Sequence, residues 1–373
     1  MKELNISLIK PSDPRTDPRL IKELGSIIKG GHSANVICMC EKHEPETSNR
    51  VNIHNLKLKG RQNFASLFYW PIWWVYEFHS LLRVQTDIFH VLNYNSILPA
   101  IIVGKMRKIP VIYEIMDTTY DELKLPGAFR NAIIFFDKMF MKYSDAIILV
   151  DECQIKQFRG IPNDDVNVIY DSAHDFRGSK TTNAKTEATF VMLYVGVLYK
   201  IRQLNLDKLY SVIKDIDGVK LIIAGYGDLV DDIKQWEETS DGKIEYIGRI
   251  DYSEALKLSL DADCLVVLRS SNLNTNKYIC GSKLWESMMC GRPILVNRGT
   301  STANKVLKED CGLVVDAHDL SELKEKIILM RDNPDLCRHL GQNGRGAYEE
   351  RYSWDIMEKR LLDMYWRLAL PVH

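Results

Sequence analysis

The sequence predicts an α/β protein of two doubly wound domains, each a parallel sheet with helices on both faces. Three observations predict it. Short apolar runs alternate with segments of helical period along nearly the whole chain. A polar stretch at residues 175–189 with almost nothing apolar in it interrupts that alternation near the middle. At 373 residues the chain is long enough for two domains that each bury a core. The expected division is a first domain over 1–176, a second over 177–351, and a terminal helix over 352–373.

Composition narrows the partners. Lys and Arg number 49 against 50 Asp and Glu, so no global field attracts nucleic acid or an anionic surface, and any anion must be met locally. The eight cysteines show no Cys-x-x-Cys pair and no metal-ligand spacing with the nine histidines, and they read as reduced core residues. The start has too short an apolar run for a signal peptide, and no segment offers about 18 uncharged apolar residues. A cytoplasmic protein is expected.

In the first half, residues 4–9 read as a buried strand, followed by a polar loop with Pro11, Pro14 and Pro18. A helix from Asp17 carries Leu20, Ile21, Leu24, Ile27 and Ile28, stops at Gly30-Gly31, and leads to a strand at 34–39. This βαβ opening lacks the Gly-x-Gly-x-x-Gly of a dinucleotide site. Residues 64–78 hold eight aromatics, with Lys57, Lys59 and Arg61 just before them. Pro71 can start a helix there whose aromatic faces, Trp73 and Trp74 included, suit a lipid or amphiphilic acceptor, with a core helix packed under the sheet as the alternative.

Residues 87–93 and 110–117 read as two more buried strands around a helix at 98–106. Because the carboxyl ends of parallel strands face the ligand side, His90, Glu114 and Asp117 are candidates, against core or capping roles. A strand at 144–150, a helix at 151–158 and a strand at 166–170 complete this half.

The second half repeats the pattern, with strands at 190–194, 219–224, 244–247, 264–268, 294–296 and 312–315. Residues 195–202 follow a strand and precede a helix, placing the Gly196 backbone and the Arg202 guanidinium where phosphates can be held, if they are not a solvated basic loop. Asp215-Ile-Asp217 and Asp261-Ala-Asp263 mimic a metal-binding Asp-x-Asp, but both sit at element edges, and no metal is expected. The tail from Ser353 to Trp366 is an amphipathic helix with a serine cap.

The most informative stretch is 281–296, Gly-Ser-Lys-Leu-Trp-Glu-Ser-Met-Met-Cys-Gly-Arg-Pro-Ile-Leu-Val. Gly281 and Ser282 can start a helix, Leu284 and Met288 give it an apolar face, and Gly291 with Pro293 ends it before a buried strand. Lys283 and Glu286 then share one face at the helix N-terminus, where free N–H groups and the dipole favour an anion. A nucleoside diphosphate fits there: the ammonium meets phosphate, and the acceptor-only carboxylate suits the paired hydroxyls of a ribose. The plainer alternative is a surface ion pair with a dipole-complementing Glu.

This stretch resembles the signature of family 4 glycosyltransferases, "(P/G)-x-K-x-x-E-x-M-x-x-G-x-P", with Glu286 at the position that binds the donor ribose. The resemblance implies the GT-B fold, two Rossmann-like domains facing a cleft. It also implies a retaining transfer from a UDP- or GDP-sugar to a glycan or lipid-linked acceptor, without metal or other cofactor. Residues 195–202 resemble the family's "Gly-Arg-Leu-x-x-x-Lys-Gly", with Arg202 standing for the Lys, Val197 at the Arg position and Lys200 as a substitute phosphate contact. Gly225 falls in a segment resembling "Ala-Gly-x-Gly", and Arg249 and Ile250 in one that borders the nucleobase.

Carried over residue by residue, the family pattern implies Arg202, Lys283 and Asp117 as catalytic, and Gly196, Arg202, Gly225, Arg249, Ile250, Gly281, Ser282, Lys283 and Glu286 as donor-binding. Gly30-Gly31-His32 resembles a turn of the family's first domain, and the last helix is expected to return to that domain. Two positions depart from the pattern: Tyr278 replaces a second Glu, and Met116 replaces the His before Asp117. A nucleotide-sugar epimerase and a binding-only partner subunit are the competing readings. The aromatic stretch adds an expected peripheral contact at the inner face of the membrane.

Overall fold

The computed structural model describes residues 3–41, 49–58, 66–116, 127–176 and 189–370. The chain divides into two compact units, Met1–Tyr170 with Met357–His373, and Asp171–Ile356. Each is a parallel sheet clad with helices, so the fold is α/β and doubly wound.

In the first unit the strands are β1 (Asn5–Lys10), β2 (Ser33–Met39), β3 (Val51–Leu56), β4 (Ile88–Leu92), β5 (Val111–Ile115), β6 (Ala146–Leu149) and β7 (Val166–Val168). They lie in the order β3-β2-β1-β4-β5-β6-β7, all parallel. The helices are α1 (Pro18–Lys29), α2 (Ser66–Arg83), α3 (Ile97–Arg107), α4 (Gly127–Tyr143) and the single turn α5 (Gln154–Gln157). Asp17 caps α1 by accepting from the Leu20 N–H, and Pro18 takes the first helical position, where no N–H is needed.

Right-handed crossovers decide the layers. The steps β1 to β2 and β3 to β4 run in opposite directions across the sheet, which puts α1 on one face and α2, α3 and α4 on the other. Strand alternation agrees: Phe89, Val91, Val111, Tyr113 and Ile115 join Trp73, Leu81, Val103 and Phe140 in one core, whereas His90 and Glu114 point to the α1 side.

Two features of this unit depart from the sequence reading. Strand β3, on the sheet edge, is additional to it. Helix α2 begins at Ser66 with Pro71 inside it, on an exposed position where the carbonyl that proline leaves unpaired can meet water. Trp73 is only 1% exposed and its indole donates to Ser96 Oγ at 2.9 Å. The Trp74 indole donates to the Asn95 carbonyl at 2.7 Å. These two rings are thus internal packing, and the outward face of the helix carries other residues.

In the second unit β8 (Phe190–Val197), β9 (Val219–Tyr226), β10 (Ile244–Gly248), β11 (Cys264–Val267), β12 (Ile294–Asn297) and β13 (Gly312–Val315) form a parallel sheet in the order β10-β9-β8-β11-β12-β13. Its helices are α6 (Leu206–Ile213), α7 (Val230–Thr239), α8 (Tyr252–Asp261), α9 (Asn274–Tyr278), α10 (Ser282–Cys290), α11 (Ser301–Glu309), α12 (Leu320–Asp332) and α13 (Pro334–Ala347). The strand order reverses between β8 and β11, the switch point at which open α/β sheets bind ligands.

The unit starts at Asp171 because the chain there is already tied to its far end: Ser172 Oγ donates to the Tyr352 carbonyl, and the Tyr348 hydroxyl to Ala173 O at 2.9 Å. The last helix, α14 (Trp354–Ala369), belongs to the first unit from Met357 onward. There Glu358 pairs with Lys29 at 2.7 Å, Arg367 with Asp165 at 2.7 Å, and the Tyr365 hydroxyl lies 2.7 Å from His90 Nδ1. Among the described residues no helix is long and apolar enough to cross a membrane.

Candidate functional site

The candidate site is built at the carboxyl ends of β8 and β11. After β8 the chain makes a 3-10 turn over Lys200–Arg202, and after β11 it runs through Leu268, Arg269 and Ser270. The two loops are stitched together. Ser270 N donates to Gln203 O at 2.9 Å, Asn205 Nδ2 to Leu268 O at 2.6 Å, and Asn276 Nδ2 to Ser270 O at 2.8 Å. Gln203 and Asn205 adopt left-handed φ values of 48° and 51°, a strained geometry that these bonds hold in place.

Helix α10 points its N-terminus at the same rim. Gly281 is its N-cap and offers no side-chain oxygen, so the first-turn N–H groups have no side-chain cap and, with the dipole, favour an anion. Gly291 closes the helix at φ 65°, a left-handed C-cap that glycine adopts without strain. Every residue from Leu284 to Cys290 is buried, which holds the helix rigidly in the unit.

Three cations converge on this rim. The Arg269 guanidinium lies against Gly281, where an added Cβ would stand 3.4 Å from Nη1, and its buried Nε has no hydrogen-bond partner among the described residues. Tyr194, whose hydroxyl donates to Val197 O at 3.1 Å, reports on both arginines. Burial raises its phenol, and the charges of Arg269 and Arg202 act against that rise, so both guanidiniums lie within electrostatic reach of one ring. The third cation is Lys283, whose Nζ is 2.6 Å from Glu286 Oε2. Glu286 is 1% exposed while the Lys283 side chain stays partly exposed, so the carboxylate is enclosed and the ammonium reaches toward the surface.

The neighbouring loops complete the rim. Gly225 pairs with Gly196 across β8 and β9, and a Cβ on Gly225 would fall 1.9 Å from the Gly196 carbonyl oxygen, an approach only glycine permits. Arg249, just past β10, holds its guanidinium 4.6 Å from the centre of the exposed Tyr226 ring, and Ile250 follows half-buried. Lys200 is engaged elsewhere: its Nζ pairs with Asp232 at 2.9 Å and its N–H donates to Asp228 at 2.7 Å. Tyr278 is half-buried in α9, with the Lys277 ammonium 5.2 Å from its ring centre.

The first-unit candidates fare differently. Asp117 lies outside the described residues. Beside it, Met116 donates its N–H to Asn93 Oδ1 at 3.1 Å, and its sulfur accepts from Lys10 Nζ at 3.5 Å. His90 and Glu114 are not at an open edge: both are fully enclosed, joined Nε2 to Oε2 at 3.0 Å. Arg19 Nε lies 2.9 Å from Glu114 and 2.7 Å from Glu23.

Burial and the Glu114 charge push Glu23 well above the usual carboxyl range. Burial acts on Glu114 too, but Arg19 and His90 outweigh it and hold that carboxyl well below the range. Glu23, His90 and Glu114 are grouped closely enough to surround a metal ion, but the Arg19 guanidinium already supplies the positive charge there. A cavity of about 380 Å³ opens at the opposite end of the second sheet, beside Phe190, Asp263 and Pro293, away from these cations.

Arg269 is the residue the sequence reading missed. Its only signal is a basic side chain directly after an apolar strand, at the end where ligands bind.

Comparison with known proteins bears on the same region. Residues 176–347 match the family model for glycosyl transferases group 1. An uncharacterized glycosyltransferase of Methanocaldococcus jannaschii is 23% identical over 264 residues, 66% of this chain and 66% of its own length. Two other curated relatives are matched over 44% and 40% of theirs, so the aligned parts span less than two-thirds of each relative. Among solved structures, sucrose-phosphate synthase from Thermosynechococcus elongatus superposes with a TM-score of 0.79 at 16% identity, covering 98% of this chain and 99% of that one. The Anabaena protein HepE, solved in complex with UDP-glucose, gives 0.72 at 12% identity over 98% and 100%. At such identities the likeness is one of fold, and the fold is GT-B. Residues 176–347, within the second unit, thus match a glycosyl transferases group 1 domain, in a chain of GT-B architecture.

Proposed function

We propose that the chain is a glycosyltransferase that moves a sugar from a UDP- or GDP-sugar to a hydroxyl of a glycan or lipid-linked acceptor, with retention at the anomeric carbon. The observation that carries this reading is the gathering of Arg202, Arg269 and the α10 N-terminus beside the part-buried Lys283–Glu286 pair, inside the matched domain.

The chemistry follows from what those groups can do. Glu286 accepts hydrogen bonds from the donor ribose, displacing the Lys283 ammonium that now pairs with it and freeing that charge for the diphosphate. Arg202, Arg269 and the N–H groups around Ser282 meet the remaining phosphate oxygens, while the Gly196 and Gly225 backbones let the donor approach and Arg249 with Ile250 border the base. The acceptor hydroxyl attacks from the face that the nucleoside diphosphate leaves. Its oxygen bonds to the anomeric carbon, the old glycosidic C–O bond breaks, and the hydroxyl proton passes to the departing phosphate oxygen. The cations stabilise the charge that grows on that leaving group. They supply its countercharge without asking for a metal ion, and Asp117 remains the first-unit candidate for catalysis.

The test is a thermal-shift screen of UDP- and GDP-sugars followed by product analysis with acceptor. A true donor at about 100 times its dissociation constant adds roughly 2.7 kcal/mol of stability. Transfer with the anomeric configuration kept supports the proposal. Epimerised nucleotide sugar without acceptor, or binding without turnover, points to the two competing readings. No shift with any sugar nucleotide contradicts all three.

A further inference from the structure

The chain segments after β8, β9 and β10 lie side by side at the ligand end of the second sheet, and each brings one exposed group to the same place. Tyr226, the last residue of β9, is 43% exposed, and Tyr199, just past β8, is 39% exposed. Their rings meet edge to face with centres 6.3 Å apart. The guanidinium of Arg249, the first residue past β10, stands over the Tyr226 ring at 4.6 Å. Arg249 is exposed, and among the described residues its side chain makes no ion pair and no hydrogen bond.

The backbone fixes this surface ring. Leu198 N donates to Tyr226 O at 2.9 Å, Leu229 N to Leu198 O at 2.9 Å, and Lys200 N to Asp228 Oδ1 at 2.7 Å, so the turns that carry Tyr199 and Tyr226 are laced together. Glycines flank the tyrosine on both sides. A Cβ on Gly225 would fall 1.9 Å from the Gly196 carbonyl oxygen, and one on Gly227 would fall 2.3 Å from that of Leu198. Side chains there would push β9 off the β8 loop and take the Tyr226 ring with it.

An arginine laid on a ring and otherwise unpaired has a second plane to offer. Arg249 lies two strand positions from the β8 loop that carries Arg202, about 10 Å across the sheet. With the diphosphate held by the cations around Arg202, the part of a sugar nucleotide that reaches Arg249 is its nucleoside. A guanidinium plane stacks on an aromatic heterocycle, and the base is the one part of the donor with such a face. We infer, resting on the donor reading above, that Tyr226 is a positioning residue: its ring, braced by Tyr199, holds the Arg249 guanidinium as the plane on which the donor base stacks. The base is thereby held by its face, with Ile250 beside it.

The experiment is calorimetric titration of the full chain and its variants with UDP and GDP, and with pyrophosphate by competition against whichever nucleotide the parent binds. Tyr226→Ala should weaken nucleotide binding about five- to tenfold and leave pyrophosphate affinity unchanged, because only the nucleotides carry a base. Tyr226→Phe keeps the ring and should recover most of the loss. In the double variant with Arg249→Ala, the tyrosine substitution should add nothing to the loss from the arginine, since the two side chains act as one unit. Should Tyr226→Ala melt early, Arg249→Ala is read instead, with the same split between nucleotide and pyrophosphate expected. Nucleotide affinity that Tyr226→Ala keeps overturns the inference, as do an equal loss for pyrophosphate, a phenylalanine variant as weak as the alanine one, or additive losses in the double variant. A parent that binds neither UDP nor GDP removes the donor site and this inference together, whereas parental binding by Tyr226→Ala removes the inference alone.

Discussion

The two sheets carry the same kinds of charged side chain in different places, and the places decide what the charges are for. In the first unit Arg19 and Glu23 of α1 meet His90 of β4 and Glu114 of β5 over a covered sheet face, so each must find its counterpart within the protein. In the second, Arg202 and Arg269 stand just beyond strand ends and Lys283 in the first turn of a helix, at the end of a parallel sheet where ligands bind. A charge within a strand is evidence about packing, and a charge past its end is evidence about function.

The largest effect that sharpens this contrast is Arg19→Ala. It leaves the Glu114 charge enclosed without its guanidinium and should cost about 3–5 kcal/mol, read as lost hydrogen-exchange protection confined to the first unit. Glu23→Gln should cost much less, because burial and the Glu114 charge already push the Glu23 carboxyl well above its usual range and glutamine copies its shape. Equal losses would show that Glu23 carries a charge. In the second unit Arg202→Ala should leave stability alone and lower turnover about a hundredfold, with a smaller effect on donor affinity, since leaving-group charge grows toward the transition state.

The smallest effect concerns His32, whose Nδ1 accepts from the Leu4 N–H and whose pKa burial lowers. The neutral ring is the folded form, so the unfolded chain binds the proton more readily. Its contribution is complete above the unfolded value of about 6.5 and declines as pH falls through it. Urea midpoints at about pH 7.5 and 5.5 should differ more in the parent than in His32→Asn.

The legibility of the sequence followed the same line. Strands buried on both faces announced themselves as apolar runs, and Gly291 with Pro293 marked where α10 ends and β12 begins. Strand β3 was not legible, because on a sheet edge its Val51 and Ile53 alternate with Asn52 and His54 and make no run. The aromatic stretch pointed to both an interface and a core. Trp73 went inward to Ser96 and Trp74 to the Asn95 carbonyl, so core packing accounts for both rings.

His90 and Glu114 were legible as strand residues but not as enclosed ones, since what closes over His90 is Tyr365, hundreds of residues later. Arg269 needed the fold for a similar reason: nothing in the sequence puts it beside Gly281.

The proposed donor site at the start of α10 is tested most directly by calorimetric titration of nucleoside diphosphates and their sugars into the parent, Glu286→Gln and Arg269→Ala. Charge-assisted hydrogen bonds are worth roughly 1.5–3 kcal/mol each, so each variant should bind the preferred nucleotide about ten- to a hundredfold more weakly while remaining folded. Parental affinity in both variants would place the nucleotide elsewhere and contradict the site.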